Sequence, residues 1–377
     1  MRGVLLASLA FLSSASLAAA SIPPAPPSPN IQVKVISFAA TPAAVTCGGG
    51  ASARLVVGAP IAPRTWQIWT PPVPTPDYVP PKAPTSQTFT FSINGDGRVT
   101  DLKGGGSNLW LNDDQAATIA SWRFAPNAPA TGCSVDLAPT VTALAEASPA
   151  KLLEVAAGLS RGAAPELYKV LDATGDCYTG AHRRPATWVY PDTRPFDGKS
   201  VDPPSAAVTF DIDAKGATRN VKAAIQHGDP GLAKATVAAV TKSRYFPGTA
   251  RTGCRVFIKA RPAVSDPPPR PEHDAFRRPE DKCDIKREEM NLPAPMTFPP
   301  AFGYRGVGGW AIVRFDVAPW GDIGAVEVLA AQPAQAFGQA AELLVSSARP
   351  KPAGVGYHGC VIPIIYQMPP SSGDAPS

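Results

Sequence analysis

The sequence predicts an α+β protein made of three tandem small domains. Each runs strand, strand, helix, strand, with an antiparallel sheet packed on a helix. Three observations carry this prediction. The stretches TFTFSINGDGRVTDL, AVTFDIDAKGATRNV and IVRFDVAPWGDIGAV alternate apolar and polar residues in one shared register around a glycine. Each is followed by a helical run ending on an arginine: Arg123, Arg244 and Arg349. A proline-bearing loop then leads each time to a Gly-Cys pair: Gly132-Cys133, Gly253-Cys254 and Gly359-Cys360.

The alternation is the period of a half-buried strand, so Phe91 and Ile93 share a face, as do Phe210 and Ile212, and Phe315 and Val317. Six residues after each Phe stands Gly97, Gly216 or Gly321, and a glycine between two alternating runs marks a hairpin turn. The helices follow. Asp113 or Asp114 is the expected cap of DQAATIASWRF, and Asp229 with Pro230 starts the second helix. The third, PAQAFGQAAELLVSSA, gathers Phe337, Ala341, Leu344 and Val345 on one side. Proline stops each helix, and CSVDLAPTV, CRVFIKARP and CVIPIIYQM read as closing strands. Upstream of each hairpin lies an aromatic in a proline-bearing loop: RTWQIW, ATWVYP and MTFPPAF. The expected role of that aromatic is a buried staple.

These elements divide the chain into domains at 31–146, 177–262 and 283–369. A helical linker (147–176) and a Pro-rich, charged linker (263–282) act as short tethers, and 370–377 is an expected disordered tail. The first linker contains PAKLLEVAAGLSRGAAPELYKVL, a helix-like stretch suited to docking on a neighbour.

The cysteines are Cys47, Cys133, Cys177, Cys254, Cys283 and Cys360. No C-x-x-C is present, which points away from zinc and thioredoxin-type chemistry. An even count in an exported chain favours disulfides, whose connectivity sequence alone leaves open. The repeat chooses, because each domain has one early cysteine and one after the late glycine. It predicts Cys47–Cys133, Cys177–Cys254 and Cys283–Cys360, each stabilising its domain by about 4–5 kcal/mol on the chain-entropy model.

Export is read from MRGVLLASLAFLSSASLAAAS, which has one Arg, an apolar run and small residues at Ala18 and Ala20. This matches a signal peptide over 1–20, with an uncleaved inner-membrane anchor as the alternative. The expected location is the periplasm, with membrane contact only if that segment stays attached. The net charge of +5 comes without a basic patch, since the run from Arg270 to Glu289 mixes signs. Nucleic-acid binding is not expected.

The third domain carries a resemblance. FPPAF, then GVGGWAIVRFDVAPWGDIGAVEVL, then a helix and a closing strand, resembles the C-terminal domain of TonB-type energy transducers. The first two domains are similar through the hairpin and through SWRFAP and SRYFP, close to that family's basic-aromatic-proline signature. The third has Arg349-Pro350 at that place. The resemblance implies binding of extended segments of envelope or outer-membrane transport proteins by sheet-edge pairing, in TonB-dependent transmembrane transport. It implies the last strand as the edge: Val361, Ile362, Ile364, Ile365 and Tyr366 in the third domain, and Arg255, Phe257 and Lys259 in the second. Pro363 lacks a donor N–H and so belongs at an edge or outside the ladder. The alternative is a structural or cell-wall-binding envelope protein.

A third reading is a hydrolase using Ser160 of the G-x-S-x-G run Gly158–Gly162. That motif needs a strand before the serine, whereas KLLEVAAG reads as a helix ending at Gly158. His182, His227, His273 and His358 lie apart in loops, and the GGG runs lack a following Lys-Ser/Thr. No catalytic residue, metal or cofactor is assigned.

Overall fold

The computed structural model describes residues 30–71, 77–79, 82–104, 109–158, 164–180, 184–283, 285–293 and 296–368. The expected signal segment, Ser160, His182 and the C-terminal tail fall outside the described residues.

The first domain holds β1 (Asn30–Phe38), β2 (Ala44–Thr46), β3 (Ser52–Val57), β4 (Arg64–Thr70), β5 (Gln87–Ile93), β6 (Val99–Gly104), α1 (Leu109–Ser121), β7 (Arg123–Phe124), β8 (Ala130–Leu137) and β9 (Pro139–Ala143). The linker helices are α2 (Pro149–Gly158) and α3 (Pro165–Asp172). The second domain holds β10 (Pro185–Thr187), β11 (Ser205–Ile212), β12 (Thr218–His227), α4 (Pro230–Lys242), β13 (Arg244–Tyr245) and β14 (Arg251–Lys259). The third holds α5 (Pro300–Tyr304), β15 (Gly309–Val317), β16 (Ile323–Gln332), α6 (Gln335–Ser346) and β17 (Tyr357–Tyr366).

The class is α+β, and the repeat is visible in the topology. The second and third domains carry antiparallel sheets ordered β12-β11-β14 and β16-β15-β17. In each, the first strand of the hairpin lies in the middle and the closing strand lies at one side. The same trio in the first domain, β6-β5-β8, is extended by β2, β3 and β7 into six strands.

The turn glycines explain part of the repeat. Gly97 and Gly216 have φ of 72° and 85°. A Cβ at either would strike the carbonyl of Phe124 or Tyr245. Those two aromatics donate their backbone N–H to the glycine carbonyl, 2.8 Å in both domains. The preceding arginines close the helices. Arg123 Nη1 donates to the carbonyls of Ser121 and Trp122 at 2.9 and 2.8 Å. Arg244 Nη1 does so to Thr241 and Ser243 at 2.9 and 2.8 Å, and Arg349 Nη1 to Ala348 at 2.7 Å. Helix C-termini leave carbonyls without partners, and a guanidinium supplies both the donors and a favourable charge.

Disulfides join Cys47–Cys133, Cys177–Cys254 and Cys283–Cys360, closing separations of 86, 77 and 77 residues. They fit an oxidising compartment outside the cytoplasm. Among the described residues no helix is long and apolar enough to cross a membrane.

Several expectations need correction. Asp229 caps α4 through Gly231 N at 2.7 Å, but α1 begins at Leu109, so Asp113 and Asp114 lie inside it. Asp114 instead faces Arg64 at 3.5 Å. RTWQIW is strand β4, not a loop, in a separate sheet ordered β4-β1-β9 with Trp66 buried against Ile36. The 263–282 stretch lies along the third domain, where Trp310 Nε1 donates to the Pro268 carbonyl at 2.9 Å. The buried Arg314 meets Asp281 there, and the Phe276 carbonyl at 2.9 Å.

The domains are docked rather than tethered. One core cluster joins Phe89, Phe91 and Trp122 of the first domain to Phe302, Phe315 and Phe337 of the third. At the seam Leu102 N donates to the Pro333 carbonyl at 2.9 Å. Asp101 N donates to Gln332 Oε1 at 2.8 Å, and Gln332 Nε2 returns a bond to Asp101 Oδ1 at 2.6 Å. A second cluster buries Leu152, Val155, Leu167 and Leu171 of α2 and α3 between Val33 and Val35 of β1 and Phe257 of β14.

Candidate interaction edges

A strand at the side of a sheet turns the N–H and C=O of alternate residues away from its neighbour. The closing strands β8, β14 and β17 occupy that position, and the three domains treat it differently.

In the first domain β8 has a second neighbour, since Thr46 of β2 pairs with Ser134. Its edge is partly used within the chain.

In the second domain β14 pairs with β11 from Ser205↔Lys259 to Ile212↔Arg251. Arg255 is one of the residues whose main chain faces outward, and the Tyr178 hydroxyl engages both of its groups, accepting from N at 3.0 Å and donating to O at 2.9 Å. The Arg255 side chain is held too. It pairs with Asp172 at the end of α3, and its guanidinium lies over the Tyr178 ring, 4.3 Å from the centroid. Burial raises the pKa of the Tyr178 phenol, so it stays protonated at neutral pH. Lower on the strand, Asp176 Oδ1 accepts from Thr252 N at 2.6 Å. Phe257 packs against the α2–α3 cluster. Lys259, at the end of β14, is exposed as a residue but also lines a cleft with Arg305, which buries its ammonium end. Of the three residues expected on this edge, Arg255 and Phe257 are therefore tied to the linker.

In the third domain β17 pairs with β15 from Gly309↔Tyr366 to Val317↔Tyr357. Side chains alternate. Ile364 and Tyr366 join the core with Cys360, and Ile362 packs against the edge of that core. Val361 points to the opposite face, under Trp310 and Ile312. Ile365 is 37% exposed. The Ile312↔Pro363 pair occupies the place of Ala207↔Phe257 in the second domain. By the alternation seen at Arg255, the main chains of Val361, Pro363 and Ile365 face away from β15. Pro363 thus needs no donor toward β15. At the start of β17 the edge is paired, as Lys282 and His358 exchange backbone bonds of 2.9 and 3.0 Å. From Val361 to Ile365 the outward main chain has no backbone hydrogen-bond partner among the described residues, although Phe276 packs on the Val361 side of the strand.

Charged groups that belong to no motif gather where the three domains meet. His227 Nε2 lies 2.9 Å from Asp202 Oδ2, and that hydrogen bond raises the imidazole pKa. The Lys259 ammonium is lowered, first by burial and then by the charge of Arg305. Arg305 of the third domain is only 8% exposed. No motif flags it; a lone arginine after FPPAFGY gives no sequence signal.

The chain matches no family model and no curated protein.

Proposed function

We propose that the protein binds an extended segment of an envelope or outer-membrane transport protein by adding it as a strand to β17 of the third domain. We place this in the periplasm, within TonB-dependent transport. The observation that carries the reading is the contrast between edges. The outward main chain of Arg255 is taken by Tyr178, while that of β17 from Val361 to Ile365 has no backbone hydrogen-bond partner among the described residues. The third domain is also the one with the fullest resemblance to the TonB C-terminal type. Strand addition draws affinity from main-chain bonds and selectivity from alternate side chains. Here the N–H groups of Val361 and Ile365 would donate, the Pro363 carbonyl would accept, and the exposed Ile365 would contact the incoming strand.

The test is titration of the full chain with synthetic peptides spanning the N-terminal periplasmic segments of outer-membrane transporters, followed by amide NMR. Binding should perturb Val361 and Ile365 and vanish in Ile365→Pro, which removes an outward donor at a position an edge tolerates. Undiminished binding by Ile365→Pro, or peptide shifts confined to the first two domains, would refute the assignment.

A further inference from the structure

Where the three domains and α2 meet there is a cleft of about 100 Å³. Its apolar wall includes Pro60, Ile61, Pro63, Pro203 and Ile225, and Arg305 and Lys259 reach it from the third and second domains. Arg305 is buried to 8% exposure, and among the described residues its guanidinium has no hydrogen-bond or ion-pair partner. The nearby carboxylates are engaged elsewhere. Asp202 holds His227 at 2.9 Å, Glu154 holds Lys151 at 2.7 Å, and Asp114 holds Arg64 at 3.5 Å. Two adjacent cations, one of them buried, thus have no direct ion-pair partner among the described residues, while Asp114 and Asp202 act on Lys259 from further off. Burying a charge without a partner is costly, so a fold that keeps one there gains most when an anion arrives.

We propose that this cleft is a binding site for a small monocarboxylate with a short apolar body. A planar carboxylate matches the fork of a guanidinium, with the Lys259 ammonium as a second donor. The proline and isoleucine wall suits a hydrocarbon tail and offers little to a fully hydrated ion. Asp202 and Glu154, which also line the cleft, repel a dianion more than a monoanion, which favours carboxylate over phosphate. The site is independent of the β17 edge, and either can stand without the other.

The experiment is methyl NMR of the full chain titrated with butyrate, with inorganic phosphate in parallel. Butyrate should shift the Ile61 and Ile225 methyls saturably below about 10 mM, and Arg305→Met and Lys259→Met should each weaken it about tenfold. Without carboxylate, Arg305→Met should melt at or above the temperature of the unaltered protein, because it removes an unpaired buried charge. Absence of a saturable shift, tighter binding of phosphate than butyrate, or unaltered butyrate binding by Arg305→Met would each overturn the proposal. So would a marked fall in melting temperature for Arg305→Met, which would make Arg305 a structural residue.

Discussion

The Tyr178 hydroxyl accepts the Arg255 backbone N–H at 3.0 Å and donates to the Arg255 carbonyl at 2.9 Å. One side chain one residue beyond Cys177 thereby closes a strand edge at its centre. Tyr178→Phe would keep the ring under the guanidinium but leave both backbone groups unsatisfied. The expected cost is about 1–3 kcal/mol, read by denaturant unfolding, with faster hydrogen exchange at the Arg255 amide. An Arg255 amide as protected as before would show that another group closes this edge. Newly exposed donors also make a pairing surface, so the variant should self-associate in sedimentation at high concentration.

The repeated arginines offer a comparison within one molecule. Arg244 is exposed and bonds only to the end of its own helix among the contacts described. Arg123 is half-buried and also reaches the Ser265 hydroxyl of the linker before the third domain. Burial, with Arg98 adding, lowers the pKa of Arg123 to about 10, which leaves it charged at neutral pH. Arg244→Ala should cost about 0.5–1 kcal/mol and Arg123→Ala about 2–3 kcal/mol. Equal losses in chemical denaturation would mean that the linker contact contributes nothing.

Tyr366 has the opposite problem. Its side chain is fully buried against Phe298 and Phe337, with ring centroids 5.6 and 5.5 Å away. Among the described residues its hydroxyl finds no partner, and burial pushes its pKa up to about 12. Tyr366→Phe removes an unsatisfied polar atom without changing the packing, so a stability gain of about 1 kcal/mol is expected in thermal melts. A destabilised variant would point to a partner for the hydroxyl.

His227 gives a pH dependence. Its hydrogen bond to Asp202 leads the upward shift, Glu154 adds to it, and burial and Lys259 oppose it. A folded pKa above the unfolded value means stability contributed in full below about pH 6.5. That contribution is lost as pH rises through the folded pKa. Asp202→Asn should abolish the upward shift, leaving burial and Lys259 to lower the imidazole pKa, and so remove this dependence, as followed by ring-proton NMR. An unchanged titration in that variant would remove Asp202 as the cause.

Much of this architecture was written locally. The alternation around Phe210 and Ile212 set the faces of β11, Gly216 set its turn, and Asp229-Pro230 set the start of α4. Repetition then pairs the cysteines, because each repeat has one early cysteine and one after its late glycine. Two local signals mislead. Asp113-Asp114 looks like the cap of α1, yet the helix starts further upstream at Leu109. The alternation in IQVKVISF was present but lay outside the repeat, so the β4-β1-β9 sheet was missed. What sequence could not carry was partnership at a distance. Asp101 and Gln332 are ordinary polar residues on separate repeats, and nothing near either marks the other. Arg305 matters through a buried position and a missing partner, and neither leaves a pattern.

The shared core of the first and third domains sets an order on how the chain matures. Synthesis delivers α1 and β6 well before α5 and Gln332, with the whole second domain made in between. The apolar faces around Leu102 and Trp122 therefore wait uncovered while the intervening segment folds, and closure of a long loop comes last. Folding of the complete molecule should be slow for its size, since its final contacts join residues far apart along the chain. Its early life, when two thirds of it exist and the last third does not, is the stage at which it most needs protection from sticking to other chains.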